Sequence, residues 1–211
     1  MALVICVLNL KGGVGKTTTA VALAEAASLG ARTMLVDADS MGSAYRWSQL
    51  AAQSGIALRC DVVPMPAADL PRRIRGTIGG YAAVIIDAPP PGPDALAIAA
   101  AAVETADLVV IPTPPEYAAL DRVPATFKQA TDHGKRALAV LTMVRAGLPE
   151  RDAARDALGS WGVPVAATEC PLTVTVQRNY GQAVTGLLAR FGLDLLAEIL
   201  DQTQEVTSNA G

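Results

Sequence analysis

The sequence is poor in aromatic residues and in net charge. Aromatic residues make up 4% of the 211 residues, so any core must be built from alanine, valine, leucine and isoleucine. Charged residues make up only 18% and the mean hydropathy is +0.34, which excludes an intrinsically disordered chain. The net charge of −3 excludes a globally basic nucleic-acid coat. Any contact with DNA must therefore use a local patch of arginine.

Cysteine and long hydrophobic runs are also scarce. Cys6, Cys60 and Cys170 are odd in number, far apart and without a CxxC pair, which excludes a disulfide framework and the usual zinc spacing. The longest apolar run, from Ala95 to Val103, is too short to cross a bilayer. The apolar start of the chain lacks the basic residues of a signal peptide. We therefore expect a cytoplasmic protein that does not use a membrane.

Short apolar runs alternate with helical segments along most of the chain. The first run, from Leu3 to Leu8, is apolar throughout, as a strand buried on both faces requires. Alternation at this spacing indicates βαβ units, so we predict a three-layer, doubly wound, mostly parallel α/β sheet in one domain over residues 1–201. Ligands bind outside the carboxyl ends of such strands, which directs attention to the loops after the first, second, fourth and fifth strands.

Two further features concern the helices of the second half. Pro124 is expected to break the helical segment that contains it. Near the end of the chain we predict two helices, from Val176 to Val184 and from Leu187 to Leu200. Residues 202–211 are polar and are predicted to form a flexible tail.

A glycine-rich loop between the first strand and the first helix has the chemistry of a phosphate cradle. Its glycines let the backbone turn so that successive N–H groups point inward as an anion nest, and the following helix adds its N-terminal dipole. Lys16 can then reach the β- and γ-phosphates, and the Thr17 hydroxyl can ligate Mg²⁺. The strict P-loop pattern requires glycine at position 10, where this chain has leucine. The predicted phosphate-binding set is Gly12, Gly13, Val14, Gly15, Lys16, Thr17 and Thr18, with Thr18 against the α-phosphate.

Three aspartates follow predicted strands, where a phosphate–metal centre is expected. Asp37 and Asp39 come directly after the second strand, and carboxylates there can hold a metal-bound water or orient the water that attacks a phosphate. Asp87 follows four apolar residues, in the arrangement of a Walker B aspartate that holds Mg²⁺ through water. The alternatives are that the first two residues cap the next helix and that Asp87 caps the proline-rich turn after it.

Lys11 is the unusual residue of the loop, because a lysine five residues before Lys16 cannot easily reach the same phosphates from its own subunit. The segment 11–18 resembles the deviant Walker A motif, KGGxGK[ST]T, of the ParA/MinD family of P-loop ATPases. This resemblance implies a SIMIBI-like P-loop NTPase fold, ATP and Mg²⁺ as cofactors, and a homodimer that encloses ATP. In such a dimer Lys11 enters the partner's site and acts there as a catalytic cation, as Lys16 does in its own site.

The resemblance extends over about residues 1–200. Asp37 and Asp39 match the family's switch I pattern DxDPQ, which implies that Asp39 positions the hydrolytic water and that Asp37 supports Mg²⁺. Ser40 and Met41 replace the usual Pro-Gln. Asp87 and the prolines after it resemble the family's switch II. MinD-like members carry Asn-Arg for adenine at the place of residues 142–145, and the asparagine is missing here, so the choice of ATP rests on the resemblance.

Within the family, the chain is similar to the short ParA/ParF-type partition ATPases, which lack an N-terminal helix-turn-helix domain. That similarity implies slow ATP hydrolysis stimulated by a ParB-like or cargo-adaptor protein, and segregation of plasmid, chromosome or protein cargo. It also implies non-specific DNA binding by the ATP-bound dimer and a nucleoid-associated location. The candidate DNA contacts are Arg178 and Arg190 and, less directly, Arg72, Arg73 and Arg75. The alternative for each set is an ordinary solvated helix face.

Two other functions stay open. A MinD-like membrane-surface ATPase would need a basic amphipathic C-terminal helix, but Asp194, Glu198 and Asp201 make the polar face of the last predicted helix acidic. A P-loop enzyme that transfers phosphate to a small molecule would need an acceptor pocket, and the sequence does not indicate one.

Overall fold

The computed structural model of the chain describes residues 2–93 and 95–209, with residues 203–209 described as backbone only. The strands are β1 (Leu3–Val7), β2 (Thr33–Asp37), β3 (Asp61–Pro64), β4 (Ala83–Asp87), β5 (Leu108–Thr113), β6 (Arg136–Val144) and β7 (Val165–Pro171). The helices are α1 (Lys16–Ala27), α2 (Ser43–Gln53), α3 (Leu70–Thr77), α4 (Ala95–Thr105), α5 (Tyr117–Leu120), α6 (Val123–Asp132), α7 (Glu150–Ser160), α8 (Val174–Gln177) and α9 (Gly186–Asn209).

The strands form one parallel sheet in the order β3-β2-β4-β1-β5-β6-β7. From β1 the chain passes through β2 to β3 at one edge, returns to β4, and then crosses to β5 on the other side of β1. The loop after β1 therefore lies where the strand order reverses, which is the usual ligand site of a doubly wound sheet. The predicted α/β architecture with a parallel sheet is confirmed.

Helices cover both faces of the sheet. On one face α1, α2 and α9 enclose a core with the inward side chains of the strands. On the other face the core is closed by α3, α4, α6 and α7. Alanine, valine, leucine and isoleucine dominate both cores, as the composition predicts, and only Trp47 and Phe191 among the aromatic residues are buried.

The C-terminal helices differ from those predicted. The predicted helix from Val176 to Val184 is wrong, because α8 ends at Gln177 and the chain then turns. Two local features explain the turn: Gly181 has a φ of 73°, and the buried Asn179 side chain accepts a hydrogen bond from the Thr185 backbone N–H at 2.9 Å. The last helix, α9, continues to Asn209, beyond the predicted end, and the flexibility of residues 202–211 stays a prediction.

Other features of the helices agree with the sequence. The helical segment around Pro124 is broken, since α5 ends at Leu120 and α6 begins at Val123 with the proline in its first turn. Helix α9 crosses α1 closely at Gly192, where a Cβ atom would overlap the Ala22 carbonyl oxygen. Within the described part of the chain, no helix is long and apolar enough to cross a membrane.

Candidate functional site

The loop between β1 and α1 turns back on itself at two glycines. Gly13 and Gly15 have φ angles of 73° and 87°, in the left-handed region that glycine adopts without strain. Gly15 is the N-cap of α1, and no described side chain caps the first turn of that helix. The first backbone N–H groups of α1 are thus available to an anion, as the sequence predicts.

Lys16 is the cation of this loop. Its side chain is 8% exposed, and its Nζ donates a hydrogen bond to the backbone oxygen of Lys11 at 3.0 Å. Burial lowers the pKa of Lys16, while the negative charges of Asp87 and Asp39 oppose that shift. The ammonium group therefore faces the predicted carboxylate centre. The side chain of Lys11 is half-buried and has no partner among the described residues.

Asp87 ends β4 with an unsatisfied carboxylate. The residue is 1% exposed, and neither carboxylate oxygen accepts a well-formed hydrogen bond from any described residue. Burial raises the pKa of Asp87 to about 7, although the nearby Thr17 hydroxyl and the Lys16 ammonium lower it. A buried carboxylate without partners is unfavourable, so this arrangement indicates a place for a ligand that carries positive charge.

Asp37 lies beside Asp87 and has partners. Its register partner across the β2–β4 pair is Asp87. Its Oδ1 accepts a hydrogen bond from the Asp39 N–H at 3.2 Å, and its Oδ2 accepts one from the Tyr45 N–H in the first turn of α2 at 2.8 Å. Burial raises the pKa of Asp37 in spite of these two bonds. Asp37 therefore stabilises the start of α2, and its carboxylate also borders the same centre as Asp87.

Asp39 forms the turn that leads into α2. Its Oδ1 accepts a hydrogen bond from the Met41 N–H at 2.9 Å, and its backbone oxygen accepts one from the Gly42 N–H at 2.9 Å. The half-buried carboxylate is close enough to Lys16 and Asp87 to affect both of their pKa values. Across the described chain, no group of three or more His, Cys, Asp or Glu side chains is placed to hold a metal ion.

A mostly apolar cavity of about 140 Å³ lies next to the phosphate loop. Gly15 and Thr18 border it, so Thr18, which was predicted at the α-phosphate, also reaches this cavity. Its other walls come from Trp47 of α2, the end of β6 and the segment 170–180. Met143 at the end of β6 has a φ of 54°, which is strained for a residue with a Cβ atom and is typical of functional sites.

The family resemblance directs attention to residues 142–145 for the base, but the sequence does not indicate the other walls of this cavity. The residues of its walls are spread from position 15 to position 180 along the chain, and only the order of the strands brings β6 and β7 beside α1. A hydrogen bond from the Thr142 hydroxyl to the Val14 carbonyl, at 2.9 Å, joins the end of β6 to the glycine loop. No local pattern in residues 142–145 or 170–180 could have predicted that contact.

Asn9 is a residue of this region that sequence analysis missed. It is fully buried, its Nδ2 donates to the Pro112 carbonyl at 2.9 Å, and its Oδ1 has no partner in the described structure. The next residue, Leu10, donates its N–H to the Thr126 hydroxyl of α6 at 3.2 Å. These two contacts attach the start of the glycine loop to β5 and α6. The signal available in the sequence was an asparagine directly before the loop.

The predicted arginine sets lie on different sides of the molecule. Arg178 and Arg190 flank the face covered by α1 and α9, whereas α3, which carries Arg72, Arg73 and Arg75, packs on the opposite face. All five are exposed. Arg72 and Arg73 both pair with Asp69, and Arg190 pairs with Asp194 at 3.5 Å. Arg178 makes no ion pair within the described residues. The two sets cannot form one continuous basic surface.

The chain is similar to known nucleotide-binding proteins. The chain matches the CobQ/CobB/MinD/ParA nucleotide binding domain over residues 5–209. It is 46% identical over 112 residues to the Maintenance of carboxysome distribution protein A of Gloeobacter kilaueensis, a match that covers 53% of this chain and 49% of that protein. It is 34% identical over 174 residues to the chromosome-partitioning ATPase Soj of Thermus thermophilus, covering 70% of this chain and 64% of that protein. The matches thus span about half to two thirds of these relatives' own lengths.

A solved structure agrees at the level of the fold. The septum site-determining protein MinD of Pyrococcus horikoshii, complexed with Mg-ADP, has a TM-score of 0.77 against this chain at 18% identity. The superposition covers 94% of this chain and 96% of that one. The domain match extends over nearly the whole chain, and the glycine loop lies at the strand-order reversal with Lys16 near the buried Asp87 and the half-buried Asp39. The protein therefore belongs to the CobQ/CobB/MinD/ParA family of nucleotide-binding domains.

Proposed function

We propose that the protein is a Mg²⁺-dependent ATPase of the ParA type, which positions a cargo. The observation that carries this proposal is the unsatisfied Asp87 carboxylate, buried near Lys16 and Thr17 beside the glycine loop. Buried charge without a partner is retained where a ligand completes the site. ATP with its metal ion supplies both the anion that the loop amides and Lys16 need and the cation that Asp87 needs.

The residues present fit Mg²⁺. The ion is usually held by one or two carboxylates, a hydroxyl and the phosphates of the substrate, rather than by a cage of protein ligands. Thr17 and Asp87 would hold it here, and Asp37 would support it, since that carboxylate accepts two backbone N–H groups and still has free lone pairs. When bound, Mg²⁺ neutralises the charge that develops on the β- and γ-phosphates.

Asp39 is proposed to orient the attacking water. Its carboxylate is half-buried at the rim of the site and is fixed by the turn to Met41. Lys16 is proposed to stabilise the negative charge of the phosphates. Lys11 is proposed to serve the active site of a second copy in an ATP-dependent homodimer, because its half-buried side chain has no partner among the described residues.

The ATP-bound dimer is proposed to bind DNA without sequence specificity. Of the two arginine sets, the one on the α8–α9 side is favoured, because Arg178 there has no local acid whereas Arg72 and Arg73 share Asp69. A few phosphate contacts of this kind give weak binding that is sensitive to salt. The protein would then be found in the cytoplasm on the nucleoid.

A cargo-bound adaptor, ParB-like in role, is the proposed partner that stimulates slow hydrolysis and releases the dimer. The relatives are named for carboxysome distribution and for chromosome partitioning. Those names support a positioning cycle and leave protein, plasmid and chromosome cargo as alternatives. The γ-phosphate would act as the switch ligand by ordering the loops after β2 and β4.

The experiment that tests this function is retention of a random-sequence DNA duplex with ATP, ADP or no nucleotide, across a series of salt concentrations. Binding only with ATP, weakening steeply as salt rises, is the expected result. Equal retention in all three states, or none although ATP dimerises the protein, would exclude the DNA-bound cycle. ATP hydrolysis measured on the same preparation tests the enzymatic activity separately.

The two alternatives each have a direct measurement. A membrane-surface ATPase requires ATP-dependent sedimentation with anionic liposomes, which the acidic residues Asp194 and Glu198 on the polar side of α9 oppose. A small-molecule phosphotransferase requires ADP release that depends on an added acceptor. The cavity beside the loop is mostly apolar and offers no charged group to such an acceptor, so we rank that alternative lower.

A further inference from the structure

Trp47 joins the helix after switch I to a distant part of the chain. It is the largest of the fully buried side chains, and it projects from α2, which begins six residues after Asp37 in β2. Its Nε1 donates a hydrogen bond to the Gln182 carbonyl at 2.8 Å. Its ring packs against Tyr180, with ring centroids 5.2 Å apart and planes tilted by 58°. A helix near the carboxylate centre is thus fixed to the segment after α8.

A second contact strengthens this junction. Gly181 has a φ of 73°, and a Cβ atom there would lie 3.0 Å from the Leu50 side chain of α2, so the segment approaches α2 as closely as glycine permits. The segment is also ordered from within. Asn179 donates to the Thr175 carbonyl at 2.8 Å and accepts from the Thr185 N–H at 2.9 Å. Arg178, the unpaired arginine proposed to contact DNA, immediately precedes Asn179.

The other end of α2 reaches the carboxylate centre. The Tyr45 N–H in its first turn binds Asp37 Oδ2 at 2.8 Å, and Asp37 is the register partner of Asp87. A rotation of α2 would therefore move Asp37 at one end and the segment 178–184 at the other. Packed helices of this kind move as rigid units between discrete arrangements.

Trp47 also forms a wall of the cavity beside the glycine loop. Thr19 lines the same cavity, is 1% exposed, and has no hydrogen-bond partner for its hydroxyl in the described structure. A buried unpaired hydroxyl in an apolar cavity that opens beside Gly15 and Thr18 indicates a flat, mostly apolar group with one polar edge. The base or ribose of a nucleotide whose phosphates occupy the loop has that chemistry.

We propose that Trp47 is a positioning residue that couples the filling of this cavity to the orientation of α2 and of the segment 178–184. The inference rests on the proposed function, because the ligand that fills the cavity is taken to be the nucleoside part of ATP. Beyond that function, it assigns to the Trp47 side chain the connection between the nucleotide and the surface around Arg178.

The first test uses the fluorescence of Trp47 to follow its own surroundings. Trp161, the other tryptophan of the chain, is 40% exposed at the end of α7, so Trp161→Phe leaves a single tryptophan with little disturbance of packing. The emission spectrum of this variant is recorded with Mg²⁺ alone, with Mg·ATP and with Mg·tripolyphosphate, which lacks base and ribose. The expected result is a larger change in intensity and emission maximum with ATP than with tripolyphosphate, because only ATP fills the cavity, and equal changes with the two would contradict the proposal. Identical spectra with ATP and with Mg²⁺ alone would overturn the proposal.

The second test asks whether the signal reaches the segment. Hydrogen–deuterium exchange of residues 178–184 is compared with and without Mg·ATP in the Trp161→Phe and Trp47→Phe variants. Trp47→Phe keeps an aromatic ring but loses the donor to Gln182. We expect ATP to slow exchange in the Trp161→Phe variant and to have no effect in the Trp47→Phe variant. A merely structural role for Trp47 would raise exchange equally with and without ATP, and that result contradicts the coupling.

Failure of the coupling and failure of the proposed function are distinguishable. Binding of radiolabelled ATP is measured by equilibrium dialysis on the same samples. Absence of ATP binding to the wild-type protein overturns both proposals. Normal ATP binding with an unresponsive Trp47 overturns the coupling alone. If Trp47→Phe does not fold, the fluorescence of the Trp161→Phe variant still decides the question, because it keeps Trp47.

Discussion

Asp37 and Asp87 are register partners on adjacent parallel strands, β2 and β4, but their carboxylates differ in hydrogen bonding. Asp37 accepts two backbone hydrogen bonds, and Asp87 has no described partner for either oxygen. Adjacent strands are about 4.8 Å apart, so the two buried carboxylates lie close together, and the charge of Asp37 adds to burial in raising the pKa of Asp87. This unfavourable pair is retained at the position where a bound cation would relieve it.

Replacement of aspartate by asparagine should have opposite effects on stability at positions 87 and 37. Asp87→Asn removes a buried charge whose oxygens accept no well-formed hydrogen bond, and Lys16 keeps the negative charge of Asp39 nearby, so the nucleotide-free protein should become more stable by about 1 kcal/mol. The variant should also lose Mg²⁺-dependent ATP hydrolysis. Chemical denaturation without nucleotide measures the first effect, and phosphate release measures the second.

Asp37→Asn is the matched control for that experiment. An amide side chain has one acceptor oxygen in place of two, so either the Asp39 or the Tyr45 N–H loses its partner. The expected loss of stability is about 1–2 kcal/mol. If both variants shift the denaturation midpoint in the same direction, the different roles assigned to the two aspartates are wrong.

Lys11→Ala should separate nucleotide binding from dimerisation. The Lys16 ammonium binds the backbone oxygen of residue 11, so the truncation leaves this bond and the loop amides in place. ATP binding by the monomer should persist, and the ATP-dependent dimer should be lost in light scattering. Lys16→Ala should abolish binding altogether, and Lys128→Ala, an exposed lysine paired with Asp132 on α6, should change neither property. An unchanged ATP-dependent dimer in the Lys11 variant would refute the role in the partner's site.

Asp39→Asn should stop turnover after ATP has bound. Asparagine can still accept the Met41 N–H and preserve the turn, but it cannot act as a carboxylate toward water. We expect the variant to form an ATP-bound dimer that persists and that no partner can release. Size-exclusion chromatography with ATP, followed over time, records this species. Normal partner-stimulated turnover would mean that Asp39 does not orient the water.

The arginine sets should differ in their contribution to DNA binding. Arg178→Ala removes a charge with no neutralising partner among the described residues, so it should lower affinity for all DNA sequences alike. It should also reduce the slope of log K against log salt by about one per subunit. Arg72→Ala is the control, because Arg72 already has an ion pair with Asp69. Equal losses in the two variants would place the DNA surface elsewhere.

The crossing of α1 and α9 should be sensitive to one methyl group. Gly192→Ala forces a Cβ atom into the Ala22 carbonyl and should destabilise the protein by about 1–3 kcal/mol. Gly159→Ala, in α7, meets open space and should be neutral or stabilising by up to about 1 kcal/mol, because alanine favours the helix. Thermal denaturation of both variants tests the contrast. A Gly192 variant as stable as the wild type would mean that α9 moves away from α1 at little cost.

Local chemistry could be predicted from the sequence. The glycine loop is a continuous segment whose function depends on backbone angles and on its neighbouring strand and helix, so Gly13, Gly15 and Lys16 were identified without the fold. The parallel α/β architecture followed in the same way from the alternation of apolar strands and helices. The segment after α8 escaped prediction because its helical pattern is overridden by Gly181 and by the hydrogen bonds of Asn179.

Relations between distant segments were decided by the tertiary structure alone. The register of Asp37 with Asp87 depends on β4 inserting between β2 and β1, and no pattern along the chain specifies that order. The cavity wall at Trp47 and the division of the arginines between two faces likewise depend on which helices cover which side of the sheet. The sequence by itself predicted which groups bind phosphate. The packing of the sheet decided which carboxylate is left without a partner, because burial and hydrogen bonding are properties of neighbours in space.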